Sequence, residues 1–263
     1  MNILVCVSKV PDTTAKIAFK DNNTKFASDG VTYILNPTDE WYALVRALEL
    51  KEAAGAGKVT VINVGAGDND QYLRKALAIG ADDAVLIESA DDLEPFYVAK
   101  EIANYARTNN YDVVVTGKET IDYNSFSVGG MIAEFMDCAF VSQVSKWDMN
   151  GNIATLNREV EGGEEVMEVS TPFVLSAQKG MAEQRLPNMK GIMMAKTKPL
   201  AKIASAGGDP LVTIVKFDEP KSKSAVKLFS IDEVEAVLCS FSYLFCYCLF
   251  LNCCGHLLKT GYF

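Results

Sequence analysis

Apolar runs and helical periodicities alternate through the first half of the chain. Residues 3–7 form an apolar run of the length of a buried strand and give way to a polar loop at 8–13. Residues 26–35, with Asp29-Gly30 at their middle, predict a hairpin. A helix is predicted to start at Asn36-Pro37-Thr38-Asp39, capped by Thr38, with Leu44, Leu48 and Ala53 on its apolar face. Residues 59–64 read as a second buried strand ending in Gly65-Ala66-Gly67, and 68–79 as a helix stopped by Gly80. Strand, helix and strand follow at 84–87, 96–107 and 111–116. Strands separated by helices of this length predict an α/β fold with a doubly wound, mainly parallel sheet. After Phe135 the pattern changes. A hairpin at 140–147 and 152–160 turns around Met149-Asn150-Gly151, and strands at 165–169 and 173–177 follow, an antiparallel extension of the same sheet.

The stretch 111–136, YDVVVTGKETIDYNSFSVGGMIAEFM, runs from an apolar strand through a polar turn into a helix that opens on small residues. Ser125, Ser127, Gly129 and Gly130 cannot drive packing, yet they stand where a helix begins. Free N–H groups and a positive dipole end at such a place suit an anion. Close packing of the helix on a sheet accounts for the small residues equally well. In doubly wound sheets ligands bind outside the carboxyl ends of the strands. The loops 8–13, 65–70 and 117–130 all leave carboxyl ends, and together they favour a nucleotide pocket.

Charge and rare residues narrow the chemistry. With 25 Lys+Arg against 34 Asp+Glu the formal charge is −9, which disfavours nucleic acid as a partner. His256 is the single histidine and lies in the last eight residues, so the main body has none for a Ser-His or Cys-His pair or for zinc. Only Cys6 and Cys138 precede residue 239, as a reducing cytoplasm allows, and the first residues carry no secretory signal. Binding or carrying is favoured over catalysis.

Residues 181–203 differ from the rest. No acidic residue occurs from Gln184 to Gly208, while Arg185, Lys190, Lys196, Lys198 and Lys202 supply positive charge. Met181, Met189, Met193 and Met194 supply adaptable apolar surface. Either this is a docking surface for acidic partners, or its methionines fold back on the core and its lysines are merely solvated.

The segments ILVCVSKVPDT, ILNPTDEWYALVRALELKE, LRKALAIGADDAVLI, VVVTGKETIDYNSFSVGGMIAEFM, NREVEGGEEVMEVSTPFVLSAQKG and RLPNMKGIMMAK, in this order over about residues 1–230, resemble the β subunits of electron transfer flavoproteins. The resemblance implies a Rossmann-like, adenine-nucleotide-binding domain over 1–180, a partner-recognition loop at 181–203 and an arm at 204–235 reaching toward an α subunit. Such subunits are electron carriers, not enzymes. They pair with an α subunit that holds most of the redox-active FAD, accept electrons from acyl-CoA and similar dehydrogenases, as in fatty acid oxidation, and pass them to a membrane quinone oxidoreductase. The β subunit commonly holds AMP. Carried over, AMP would meet Cys6, Asn36, Pro37, Thr38, Asp39, Val64, Gly65, Asp122, Tyr123, Asn124, Ser125, Phe126, Ser127, Val128, Gly129, Gly130, Met131, Ile132 and Ala133. The recognition loop would present Arg185, Leu186, Pro187, Asn188 and Met189, with Leu186 as its apolar anchor. Glu159 would fall near the flavin domain.

Two departures stand out. Thr13 and Thr38 replace the aromatic residues that animal-type members bring toward the flavin. From Ala236 to Leu258 run 23 uncharged residues holding five of the seven cysteines, where the family has a short amphipathic helix that IDEVEAV begins. Length and apolarity permit a membrane anchor there, but a reading-frame change near residue 237 accounts better for the Phe, Leu, Cys, Tyr and Ser mixture of 236–263. Two other functions stay open. One is an electron-bifurcating β subunit with a second FAD in the AMP position, disfavoured by Tyr123-Asn124-Ser125 after Asp122. The other is a stand-alone ATP-binding module.

Overall fold

In the computed structural model of the chain, the described residues are 1–90, 93–208, 211–219, 221 and 230. The chain divides into a unit Met1–Phe217 and a second unit Asp218–Phe263. The tail 236–263 and His256, with the anchor and frame-change readings attached to them, lie outside the described residues.

The elements are β1 (Asn2–Cys6), β2 (Lys9–Pro11), β3 (Phe19–Lys20), β4 (Lys25–Phe26), β5 (Tyr33–Leu35), α1 (Asp39–Ala54), β6 (Lys58–Gly65), a 3-10 turn Gly67–Asn69, α2 (Asp70–Ile79), β7 (Asp83–Glu88), α3 (Pro95–Thr108), β8 (Val113–Gly117), α4 (Val128–Met136), β9 (Ala139–Asn150), β10 (Ile153–Val160), β11 (Gly163–Ser170), β12 (Phe173–Ala177), α5 (Met189–Ala195) and β13 (Leu200–Ala204). Nine strands form one sheet in the order β11-β10-β9-β12-β8-β1-β6-β7-β13. All neighbours from β9 through β13 along that order pair in parallel; only β10 and β11 add antiparallel pairings at the β9 edge. The expected doubly wound, mainly parallel α/β sheet is therefore present.

Strand alternation sorts the core into two layers. Ile3 and Val5 face one way and pack with Leu44 and Leu48 of α1 and Leu73 and Leu77 of α2. Leu4 and Cys6 face the other way and pack with Ala99, Ile102 and Ala103 of α3 and Ile132 and Ala133 of α4. Because both faces of β1 are covered, four consecutive residues of it are buried and apolar. Gly80, predicted as a helix stop, follows α2 at φ 152, where its missing side chain leaves room for Leu48. Gly55 closes α1 in the left-handed region, at φ 64.

Several local expectations are corrected. Residues 26–35 are not one hairpin: β4 pairs with β3 and β5 with β2, so Asp29-Gly30 is a bend between two small sheets. Thr38 occupies the N-cap position of α1, but its side chain makes no capping hydrogen bond. The strand at Phe173–Ala177 is not antiparallel. It inserts between β8 and β9 and runs parallel to both, so β9 also belongs to the parallel body. Residues 200–204, read as the end of the loop 181–203 and the start of the arm 204–235, form the sheet's other edge beside β7. An apolar run of five residues cannot report its neighbours, and only sheet order decides its direction.

The antiparallel edge shares the main core. Trp147 of β9 and Leu156 of β10 are fully buried in the layer that includes α1 and α2, and the Trp147 ring meets Phe173 edge-on at 6.3 Å between centroids. Leu156→Ala is accordingly expected to lower the stability of the full chain by about 2–5 kcal/mol. In denaturant titration the loss should appear in one transition, whereas a separately melting edge would give two.

Candidate functional site

The chain leaves β1 to build β6 and β7 on one side, then returns to place β8 on the other. The loops after β1 and β8 therefore diverge, and a cleft opens between them at the carboxyl ends of the strands. Counting its open mouth the cleft holds about 570 Å³, and it is lined by Cys6, Val7 and Ser8 after β1, Ile62–Val64 of β6, Val98 and Ile102 of α3, Thr116–Thr120 after β8, and Ser125–Gly129 at the start of α4.

Of the residues expected to hold a nucleotide, Cys6, Val64, Ser125, Phe126, Ser127, Val128 and Gly129 line this cleft. Asn36 and Asp39 are buried behind it; the Asn36 amide donates to the Glu119 carbonyl at 3.2 Å, and its own side-chain oxygen is buried without a partner. Asp122 and Tyr123 are exposed on the approach to α4, the Asp122 carboxylate accepting from the Tyr123 N–H at 2.8 Å. Ile132 and Ala133 are core residues under α4. Pro37, Thr38, Asn124, Gly65, Gly130 and Met131 lie on the same segments without lining the cleft.

The small residues at the start of α4 have two different causes. A Cβ on Gly129 would lie 2.8 Å from the Thr116 hydroxyl and 2.9 Å from the Phe140 ring, so Gly129 is small because the helix packs tightly on the sheet. Ser125 and Ser127 have no such constraint; their hydroxyls bond each other at 3.3 Å on the cleft side. The loop reaching them holds Asn124 at φ 49 and Phe126 at φ 55. Asparagine tolerates this left-handed geometry, but for phenylalanine it costs about 1–2 kcal/mol. Strain of this kind concentrates at ligand clamps.

Glu40 was not legible as a site residue. It is 4 % exposed, lines the cleft, and accepts from the Ser8 N–H at 2.6 Å and the Ser8 hydroxyl at 2.7 Å. Burial pushes its carboxyl up to about 7, opposed by these hydrogen bonds. In sequence it looks like any acidic residue of a helix first turn, where a solvated carboxylate is the ordinary finding. Asn63 is the other buried polar group missed: its amide donates to the Val7 carbonyl at 2.8 Å and its oxygen accepts from Asn69 at 2.9 Å, fixing the ends of β1 and β6. Burial drives the Cys6 thiol far above its usual range, so it is inert in the cleft wall. Among the described residues, no group of three or more His, Cys, Asp and Glu could hold a metal ion.

A second feature lies along α1, meeting it at Trp41 in the first turn and Glu52 in the last. Leu186, Met189 and Met193 are 73 %, 76 % and 69 % exposed, whereas Met181 is buried. The fold-back reading thus holds for Met181 alone. The segment is nonetheless firmly tied down. The Arg185 guanidinium forks onto Glu52 at 2.8 and 3.0 Å, and Trp41 donates to the Arg185 carbonyl at 3.2 Å. Asn188 caps α5, accepting from the Gly191 N–H at 2.7 Å. Arg74 donates to the carbonyls of Ala195 and Lys198, both at 2.7 Å. The Lys198 ammonium meets the carbonyls of Leu77, Gly80 and Ala81 at the end of α2, a cation on the negative pole of a helix. A Cβ on Gly191 would collide with the Ala78 carbonyl, so α5 lies directly on α2. Leu186 and Met189 are thus held out on a braced segment, with Pro187 half-buried between them. Glu159, the residue expected near a flavin domain, accepts from the Gln178 amide at 2.6 Å. Among the described residues no helix is long and apolar enough to cross a membrane.

Comparison with known proteins agrees with this architecture. The family model described as the electron transfer flavoprotein domain matches residues 23–207. The chain is 36 % identical over 225 residues to the electron transfer flavoprotein subunit beta of Syntrophomonas wolfei, covering 86 % of this chain and 88 % of the relative. It is 36 % identical over 246 residues to that of Bacillus subtilis, covering 89 % and 94 %. To the human subunit beta it is 31 % identical over 250 residues, covering 90 % and 96 %. The name these relatives share is that of an electron-carrier subunit rather than an enzyme. With the family model covering well over half its length and relatives matched nearly end to end, the chain belongs to the electron transfer flavoprotein β-subunit family.

Proposed function

We propose that this chain pairs with an α subunit holding most of a redox-active FAD, and that the heterodimer carries electrons from acyl-CoA or related dehydrogenases toward a membrane quinone oxidoreductase. The cleft takes AMP as a structural ligand, and the setting is a bacterial cytoplasm. The observation that carries the nucleotide reading is the cleft at the strand-order switch, which joins two kinds of lining. Ser125, Ser127, the first-turn N–H groups of α4 and the Lys118 ammonium suit a phosphate, while Val64, Val98 and Ile102 suit the face of a purine. AMP, when bound, supplies no redox chemistry; it fills and stiffens the join between the loops.

The braced loop is the docking element for the dehydrogenase in this reading. Apolar side chains on a rigid, basic support lose little conformational freedom on association, and the flanking lysines steer an acidic partner. Arg185 acts through the fork to Glu52 and is a support, while Leu186 and Met189 are the contacts.

Co-expression with the α subunit, purification and denaturation should release one FAD and one AMP per heterodimer. Two FAD would replace this reading with a bifurcating one, and an ATP-bound chain that never pairs would remove both. Leu186→Ala and Met189→Ala should each leave nucleotide content unchanged and slow reduction by a dehydrogenase about tenfold or more, as loss of a docking hot spot does; unchanged stopped-flow kinetics in both would take the loop out of the interface.

A further inference from the structure

Glu40 is a buried charge for which the nucleotide reading has no role. From the first turn of α1 it takes both donors of Ser8, tying the loop after β1 to that helix. Gly117, at the end of β8, packs so closely on it that a Cβ there would lie 2.8 Å from the Glu40 Cγ. One carboxylate thus ties α1 to the loop after β1 and packs on the end of β8, three of the segments around the cleft. The charged or titratable groups around it are Asp39 on its own helix, Cys6 on β1, Lys118 and Glu119 after β8, and Asp122 on the approach to α4. Lys118 is the cation of the cleft lining and is ion-paired with Glu119 at 3.1 Å.

Glu40 and Ser8 line the same cavity as Ser125–Gly129 at the start of α4, so an anion seated against α4 shares that cavity with this carboxylate. The charge of Asp122, on the loop before α4, adds in the same sense to the upward push on Glu40, as the least of its causes. An anion held on that loop and the α4 N-terminus must act on Glu40 in the same direction. Resting on the nucleotide reading of the cleft, we propose that Glu40 is a positioning residue that takes up a proton when an anionic nucleotide binds, so that occupancy weakens as pH rises above neutrality. The proton comes from solvent and lands on a Glu40 carboxylate oxygen. The Ser8 hydroxyl can then turn from donor to acceptor while the Ser8 N–H still donates to the other oxygen, so the brace survives.

The sign follows from linkage. Burial holds the Glu40 carboxyl up to about 7 with the cleft empty, and an added anion pushes it further in the same direction. Between those values binding carries a proton in, and affinity falls by up to about tenfold per pH unit. The test uses the full chain with its α subunit, stripped of nucleotide, with AMP as the probe in calorimetry at pH 7.5–8.5 in buffers of different ionisation heat. A phosphate with its second pKa about 6 is already ionised in that window, so the ligand does not supply the signal. Uptake of about half a proton and a three- to tenfold loss of affinity across the window are expected in the wild type, with neither in Glu40→Gln. Ser8→Ala removes a hydrogen bond that favours the charged carboxyl and should move the midpoint to higher pH, which loss of a merely structural brace would not do. AMP binding without proton exchange in the wild type, or equal uptake in Glu40→Gln, overturns the inference and leaves the nucleotide reading standing. No AMP binding at any pH overturns both.

Discussion

The structure depends on β1 being hydrogen-bonded on both sides, to β6 and to β8, with both of its faces covered by helices. From Ile3 to Val5 a strand so placed has no solvent contact through which to adjust, and its carboxyl end fixes where the neighbouring loops must part. Everything with chemical character gathers there. Ser8 continues from β1, Thr116 and Gly117 end β8, and α1 and α4 begin beside them. The polar groups at this junction sit in a wall that is otherwise apolar, and most pair inside the protein, the Asn36 side-chain oxygen being an exception. The Ser8–Glu40 and Val7–Asn63–Asn69 bonds are the result.

How much of this was readable in the sequence depended on the range of the interaction concerned. Strand β6, helix α3 and the stop at Gly80 were legible because burial period, Pro95 at the helix start and glycine at the helix end are local signals. Direction and neighbour were not: Phe173–Ala177 reads as a strand, but nothing in five buried residues states that it slips between β8 and β9. The same limit applied to the site. The loops at 8–13 and 117–130 could be placed at carboxyl ends from strand order alone. The reason for Gly129 needed the positions of Thr116 and Phe140, and the role of Glu40 needed Ser8, 32 residues earlier.

The segment after residue 180 shows how exposure and rigidity can coexist. Leu186, Met189 and Met193 face solvent, yet Trp41 and Arg74 donate to carbonyls of the segment, while its own Arg185 and Lys198 reach the Glu52 carboxylate and the carbonyls at the end of α2. Placing arginine and lysine on backbone oxygens uses positive charge twice, once as brace and once as surface potential. Basic composition alone shows only the second use.

Helix α1 carries the consequence furthest. Its first turn supplies Glu40 to the cleft and its last turn supplies Glu52 to the loop. The two carboxylates stand twelve residues apart on one uninterrupted helix, about 18 Å at 1.5 Å per residue. α1 is therefore a shared beam: its first turn gives Glu40 to the cleft and Trp41 to the loop, and its last turn adds Glu52 to the loop. Cleft and loop thus hang on neighbouring side chains of one helix turn, and any change in the register of α1 would move both at once.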